Sequence, residues 1–209
     1  LDPERTRNKA EFPIGFVNGK IAVGAYALGS HSIIPLSDCR LQASESIAVL
    51  RWMTNRLPAL TSANHLKYLV TRVNRARELM VILCGDAPIL SEMENLAHEL
   101  HAALPEIKSF YYCQLNRRFA HALDGQCTHI WGSKILKEQL LGLSFEISPQ
   151  SFFQVNIAQT EKLYAKALEA VGIQPNCNLR VLDAYCGAGT ISLAAARWAR
   201  HVTGIEIVP

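Results

Sequence analysis

No stretch of this chain approaches the roughly 18 consecutive apolar residues that a membrane-spanning helix requires. No secretory leader is visible, because Leu1-Asp2-Pro3-Glu4-Arg5 is charged from the outset. The six cysteines, Cys39, Cys84, Cys113, Cys127, Cys177 and Cys186, include no Cys-x-x-Cys pair. A chain of 209 residues does not need disulfide staples, so reduced thiols in a cytoplasmic protein are the simplest reading. Cys84 and Cys113 read as small apolar core residues. There is no internal repeat, low-complexity tract or long linker. Neither sign of charge dominates: 21 Lys and Arg stand against 18 Asp and Glu, a formal charge of +3. That balance permits a nucleic-acid partner without arguing strongly for one, and a scattered solvated surface gives the same number. The chain begins without Met and ends just past an apolar run, and both ends are expected to be cut.

What is present is a hydrophobic fraction of 49%, enough for a real core. Residues 9–36 read as strands: Phe12–Val17 and Lys20–Tyr26 flank Asn18-Gly19, a strong hairpin signal. Ile47, Leu50, Met53 and Leu57 recur at helical spacing over 43–57, with Ser44 near the start. Two strands follow, Leu66–Arg72 and Glu78–Cys84. A helix from Ser91 to about Leu104 opens on Ser91-Glu92-Met93-Glu94, which has the form of a capping box. A strand over 109–115 and another over Leu143–Ile147 complete a first domain, residues 1–150.

The pattern then changes. Residues 156–171 form an amphipathic helix with Ile157, Leu163, Tyr164, Ala167, Leu168 and Val171 on its apolar side. Leu179–Ala184 reads as a buried strand, Thr190–Ala199 as a small-residue helix and Val202–Ile207 as a second short strand. A strand–helix–strand unit of this kind opens a doubly wound sheet. The fold class is therefore α/β: an α+β central domain, residues 1–150, followed by the first part of a Rossmann-like domain, residues 151–209.

The segment that carries chemistry is Val181-Leu182-Asp183-Ala184-Tyr185-Cys186-Gly187-Ala188-Gly189-Thr190. A strand ends in an acid, a Gly-x-Gly turn follows, and a helix opens at once. Glycine lacks Cβ, so the backbone can approach a ligand closely. One helix later the next strand ends in Gly204-Ile205-Glu206, where a carboxylate can accept hydrogen bonds from both hydroxyls of a ribose. A dinucleotide site would want a third glycine where Ser192 stands. The spacing acid-x-x-x-Gly-x-Gly is instead that of S-adenosylmethionine sites. The bland alternative is a tight turn that binds nothing.

Five stretches together resemble the RNA (uracil-5-)-methyltransferase family, whose members modify uridines in 23S rRNA or transfer RNA. They are Arg7–Phe12, Ser30–Cys39, Phe145–Asn156, Asp183–Thr190 and Gly204–Pro209, and they keep the family's order along the whole chain. Phe152-Phe153-Gln154-Val155-Asn156 is more specific than the glycine loop. Asp183-Ala184-Tyr185-Cys186-Gly187-Ala188-Gly189 leans towards the 23S rRNA branch. The resemblance implies a class I methyltransferase domain, incomplete here, with S-adenosylmethionine as cofactor. It places Gln154 and Tyr185 against the cofactor and Glu206 on its ribose. Asp183, Gly187 and Gly189 order the loop. The bland readings are a helix-capping Gln154, a packing Tyr185 and a surface Glu206.

The resemblance also makes Cys39 the last of four cysteines that hold a [4Fe–4S] cluster in many family members. The other three lie upstream of Leu1 in such proteins, so Cys39 alone is a free thiol. Cys186 sits in the cofactor loop and is rejected as nucleophile. The family's nucleophile and base lie beyond the second strand of the methyltransferase domain, so this chain supplies neither. For RNA, Arg5, Arg7 and Lys9 form one small basic cluster, Arg72, Arg75 and Arg77 a second, and Arg117-Arg118 a third. Each alone is more often a solvated face than a phosphate contact. Two functions are thus open: an inactive piece of an RNA methyltransferase whose sheet needs a C-terminal segment or a second chain, and a non-catalytic RNA-binding module.

Overall fold

The computed structural model describes residues 4–116, 118 and 121–207. They divide into two compact units, Leu1–Leu136 with Ser148–Gln150, and Lys137–Ile147 with Ser151–Pro209. The first unit is built on a seven-stranded sheet in the order β3-β2-β1-β4-β5-β6-β7. Its strands are β1 (Lys9–Val17), β2 (Lys20–Tyr26), β3 (Ile33–Pro35), β4 (Leu66–Val73), β5 (Leu79–Gly85), β6 (Ile107–Leu115) and β7 (Gly125–Gly132). All neighbours run antiparallel except β5 and β6. A parallel pair needs a long crossover, and α2 (Leu90–Ala103) supplies it.

The β1–β2 hairpin follows from its turn residues. Asn18 and Gly19 have φ of 51° and 75°, the left-handed pair that matches the twist of the flanking strands. The helix α1 (Ser44–Arg56) buries Ile47, Leu50 and Met53 along one stripe. With α2 it covers one sheet face, over Phe12, Leu69, Val81, Leu83 and Phe110. All seven residues of β5 are buried, so neither face of this central strand meets solvent.

The capping box expected at Ser91 does not form. The residue ahead of α2 is Ile89, with no side-chain cap. Glu92 instead accepts hydrogen bonds from the Thr61 and Ser62 N–H groups, at 2.9 and 3.2 Å, and from the Ser62 hydroxyl. The helix begins at Leu90, so Ser91 lies inside its first turn and cannot be the capping residue that a box with Glu94 requires.

The second unit holds a hairpin, β8 (Leu136–Leu140) and β9 (Leu143–Ile147), then α3 (Ile157–Ala170), β10 (Arg180–Ala184), α4 (Thr190–Ala196) and β11 (His201–Ile205). Two strands escaped sequence reading. In β7 the glycines at both ends and mixed polarity hide the alternation. In β8 the buried positions are Leu136, Glu138 and Leu140, so an acid occupies an inward site. The hairpin turn is Leu141-Gly142, both at positive φ, and leucine gives no turn signal.

Burial in this unit departs from expectation. Of the apolar side of α3, Leu168 is buried, while Leu163 and Val171 are 64% and 61% exposed. The strand β10 alternates between exposed and half-buried, with Leu182 64% exposed. Its sheet has two strands, β10 and β11 in parallel, which leaves apolar positions uncovered that a wider sheet with helices on both faces would bury. The helix α4 also ends three residues short of the expected Ala199.

Two outcomes follow from this packing. In native-state hydrogen exchange, the amides of β4, β5 and β6 are the slowest of the chain, and those of β10 and β11 exchange orders of magnitude sooner. Burial raises the Glu92 carboxyl, but its hydrogen bonds from Ser62 and Thr61 outweigh burial and hold it below the ordinary 4.5. Its contribution to stability is complete above that value and is lost as pH falls through the lower folded one. Glu92→Gln therefore reduces the acid sensitivity of the first unit, read as a smaller fall in Tm between neutral pH and pH 3.

Candidate functional site

The parallel register of β10 and β11 sets Asp183 beside Gly204 and Ala184 beside Ile205. Both strands therefore end side by side, and the residues after each face one another. The Cys186 N–H donates to the Ile205 carbonyl at 3.0 Å. The Gly187 N–H donates to Glu206 Oε2 at 2.9 Å, and Glu206 Oε1 accepts from its neighbour Ile207 at 2.9 Å. The carboxylate thus closes onto the bend. Gly187 and Gly189 take φ of 54° and 72°, a region that L side chains rarely adopt. Gly189 is the residue ahead of α4, and its carbonyl accepts from Leu193 at 2.8 Å.

Asp183 does not point into the bend. Its carboxylate accepts from the Ser192 hydroxyl, tying the strand end to the first turns of α4. The serine that replaces a third glycine is thereby explained as a brace. Tyr185 has φ of 64° and is 85% exposed, so its ring stands free beside the bend. Tyr164 of α3 shares a hydrogen bond with the Thr190 hydroxyl at 3.1 Å, which fixes the start of α4. Gln154 comes from a different segment, ahead of α3. It follows the buried Phe153, whose ring packs on Phe145 at 5.7 Å. The cap of α3 is Asn156, which accepts from the Gln159 N–H.

Gly204 is the residue whose role sequence reading missed. A Cβ there would stand 2.9 Å from Cys186 Sγ and 3.4 Å from Ser192 Oγ. The missing side chain is what allows Cys186 to fold under the loop and Ser192 to reach Asp183. A glycine inside a strand is the available signal for such an approach.

The basic clusters divide. Arg5 forms a fork with Asp38 at 2.7 and 2.9 Å, and Lys9 pairs with Glu11 at 2.6 Å. Arg7 is exposed. Arg72 is 5% exposed and donates to the Pro149 carbonyl at 3.1 Å; burial lowers it to about 10. It is therefore no part of a phosphate-facing surface with Arg75, and Arg77 is paired with Glu45. Arg117 lies outside the described residues. Cys39 is half-buried, with its N–H on Asp38 and its carbonyl held by Arg5. Among the described residues no group of three or more His, Cys, Asp or Glu is placed to hold a metal ion. One thiol does not fit a four-thiolate cluster. Among them, also, no helix is long and apolar enough to cross a membrane.

No family model matches the chain. The fold is that of the methyltransferases with a Rossmann-like domain: the tRNA (uracil-54, C5)-methyltransferase of Pyrococcus abyssi, solved with S-adenosyl-L-homocysteine, superposes at TM-score 0.72 over 98% of this chain and 50% of its own, at 21% identity. Uncharacterized RNA methyltransferases of Lactiplantibacillus plantarum and Halalkalibacterium halodurans are 35% and 34% identical over 218 residues, 100% of this chain and 47% of theirs. The chain is similar over its whole length to these RNA methyltransferases, and it spans about half the length of those it matches.

The close fit at Gly204 is open to a double-mutant test. Gly204→Ala destabilises the second unit by about 1–3 kcal/mol, because the sulfur of Cys186 must move. Adding Cys186→Ala returns part of that loss, so the two changes are non-additive in chemical denaturation.

Proposed function

We propose that the protein containing this chain transfers a methyl group from S-adenosylmethionine to C5 of a uridine in RNA, with 23S rRNA the substrate ahead of transfer RNA. The observation that carries the reading is the Glu206 carboxylate seated on the Gly187 N–H at 2.9 Å. Its two oxygens accept the Gly187 and Ile207 amides, so a charged acceptor stands at the bend. A vicinal diol such as a ribose is a fitting donor to such a carboxylate. The family resemblance and the wording of the Asp183–Gly189 loop support the choice of substrate.

The residues divide the work of binding. Glu206 holds the ribose hydroxyls. Tyr185 offers an exposed ring for the flat face of the cofactor. Gln154 supplies an amide to its polar groups. Gly187 and Gly189 let the backbone come close, and Asp183 braces the bend through Ser192. The cofactor itself, when bound, supplies an electrophilic methyl group on a sulfonium. Addition of a thiolate at uracil C6 and removal of the C5 proton need a cysteine and a base. In this proposal both belong to a further part of the protein, so this chain alone is inactive. That further part, or a second chain, also completes the sheet beside β10 and β11, where Leu182 and Ile205 are exposed. A [4Fe–4S] cluster on Cys39 requires three more thiolates from elsewhere in the longer protein. The protein works in the cytoplasm, with Arg7, Lys9 and Arg75 among its RNA contacts.

Calorimetric titration with S-adenosylhomocysteine tests the reading on this chain. Binding is expected, and Glu206→Ala weakens it by about tenfold or more, the effect of removing a charged acceptor from two hydroxyls. No heat with the wild-type chain, beside RNA binding that falls steeply with salt, would instead establish the non-catalytic RNA-binding module.

A further inference from the structure

Three of the six cysteines meet in one row of the first unit's sheet. Cys84 on β5 lies directly across from Cys113 on β6, and Cys113 lies directly across from Cys127 on β7. Directly opposed residues share a sheet face, so the three thiols stand side by side. All are free. Cys84 and Cys113 are fully buried, whereas Cys127 is half-buried on an edge strand.

The two pairs differ in geometry. Between β6 and β7 the register is unbroken from Tyr111↔His129 to Leu115↔Gly125. One step further, the Asn116 N–H donates to the Asp124 carbonyl at 2.9 Å. Hydrogen-bonded and non-hydrogen-bonded pairs alternate along an antiparallel ladder. Asn116 with Asp124 is a bonded pair, so Leu115 with Gly125 and Cys113 with Cys127 are non-bonded ones. In such a pair the Cα atoms are about 4.5 Å apart and the side chains are at their closest. That separation falls inside the window of roughly 4.4–6.8 Å that a disulfide accepts without moving the backbone. The crowding around Gly125 agrees, since a Cβ there would stand 2.7 Å from the Leu115 Cα.

We propose that Cys113 and Cys127 are an oxidative modification site, converted by hydroperoxides to a disulfide that staples the edge strand β7 to β6. One of the two sulfurs takes one oxygen from the hydroperoxide, becomes a sulfenic acid and releases an alcohol or water. The other sulfur then attacks it; the S–S bond forms as the S–O bond breaks, and the hydroxide leaves as water with the remaining thiol proton. Two thiols are oxidised by two electrons, and one peroxide O–O bond is reduced. Hydrogen bonds from the Cys127 and Cys84 thiols hold Cys113 below the ordinary thiol range, and the same contact, with burial, pushes Cys127 well above it. Cys84, hydrogen-bonded to Cys113 and fully buried, is held well above that range and stays protonated.

The test treats the full chain with hydrogen peroxide and counts thiols after denaturation. The expected result is a fall from six thiols to about four, a mass lower by about 2 Da, and a single linked peptide pair joining Cys113 to Cys127. Dithiothreitol restores all thiols. Cys127→Ser, at a half-buried position, abolishes the linkage, and Cys84→Ser leaves it intact. The proposal is overturned if the oxidised monomer carries Cys84 joined to Cys113, if only intermolecular disulfides form, or if Cys127 stops at the sulfenic or sulfinic acid.

Discussion

A hydrogen bond between the Gly187 N–H and the Glu206 carboxylate is the contact on which the candidate site depends. It spans two loops that are distant in sequence, and three conditions make it possible. The parallel register of β10 and β11 brings the two strand ends level. The positive φ of Gly187 turns its N–H towards the second strand. The bare Cα of Gly204 leaves room for Cys186 beneath the loop. A charged acceptor roughly doubles the strength of an amide hydrogen bond. The loop is therefore held in place by the same carboxylate that would grip a ligand, and binding need not organise it.

The two units show how much of stability comes from coverage rather than from strand sequence. Leu79–Gly85 and Arg180–Ala184 are both apolar-rich strands. The first has a neighbour on each side and helices over one face, and all of its residues are buried. The second has one neighbour and leaves Leu182 in solvent. Apolar area yields free energy only when water is removed from it. The strand carrying the candidate site is consequently the less protected of the two.

Charge in this protein is used locally first. Arg5, Lys9 and Arg77 each have a carboxylate partner close by, and Arg72 is buried. Grouping basic residues by sequence therefore overstates the surface available to phosphates. Glu92 likewise serves a nearby partner, accepting from the Thr61–Ser62 turn.

Several features were legible in the residues alone, and each rests on short-range chemistry. Asn18-Gly19 specifies its hairpin because both residues tolerate positive φ. Ile47, Leu50 and Met53 specify the buried stripe of α1. The acid, the glycines and the second acid mark the bend between β10 and β11, and two of the five stretches that resemble RNA methyltransferases lie there. Other features depended on contacts between distant segments. The inward Glu138 hid β8, the partner of Ser192 became clear only when α4 was laid against Asp183, and the row of Cys84, Cys113 and Cys127 exists only through the register of three strands. Local conformational preference is written in neighbouring side chains. Which side chains become neighbours across a sheet is decided by register and coverage, and those belong to the tertiary structure.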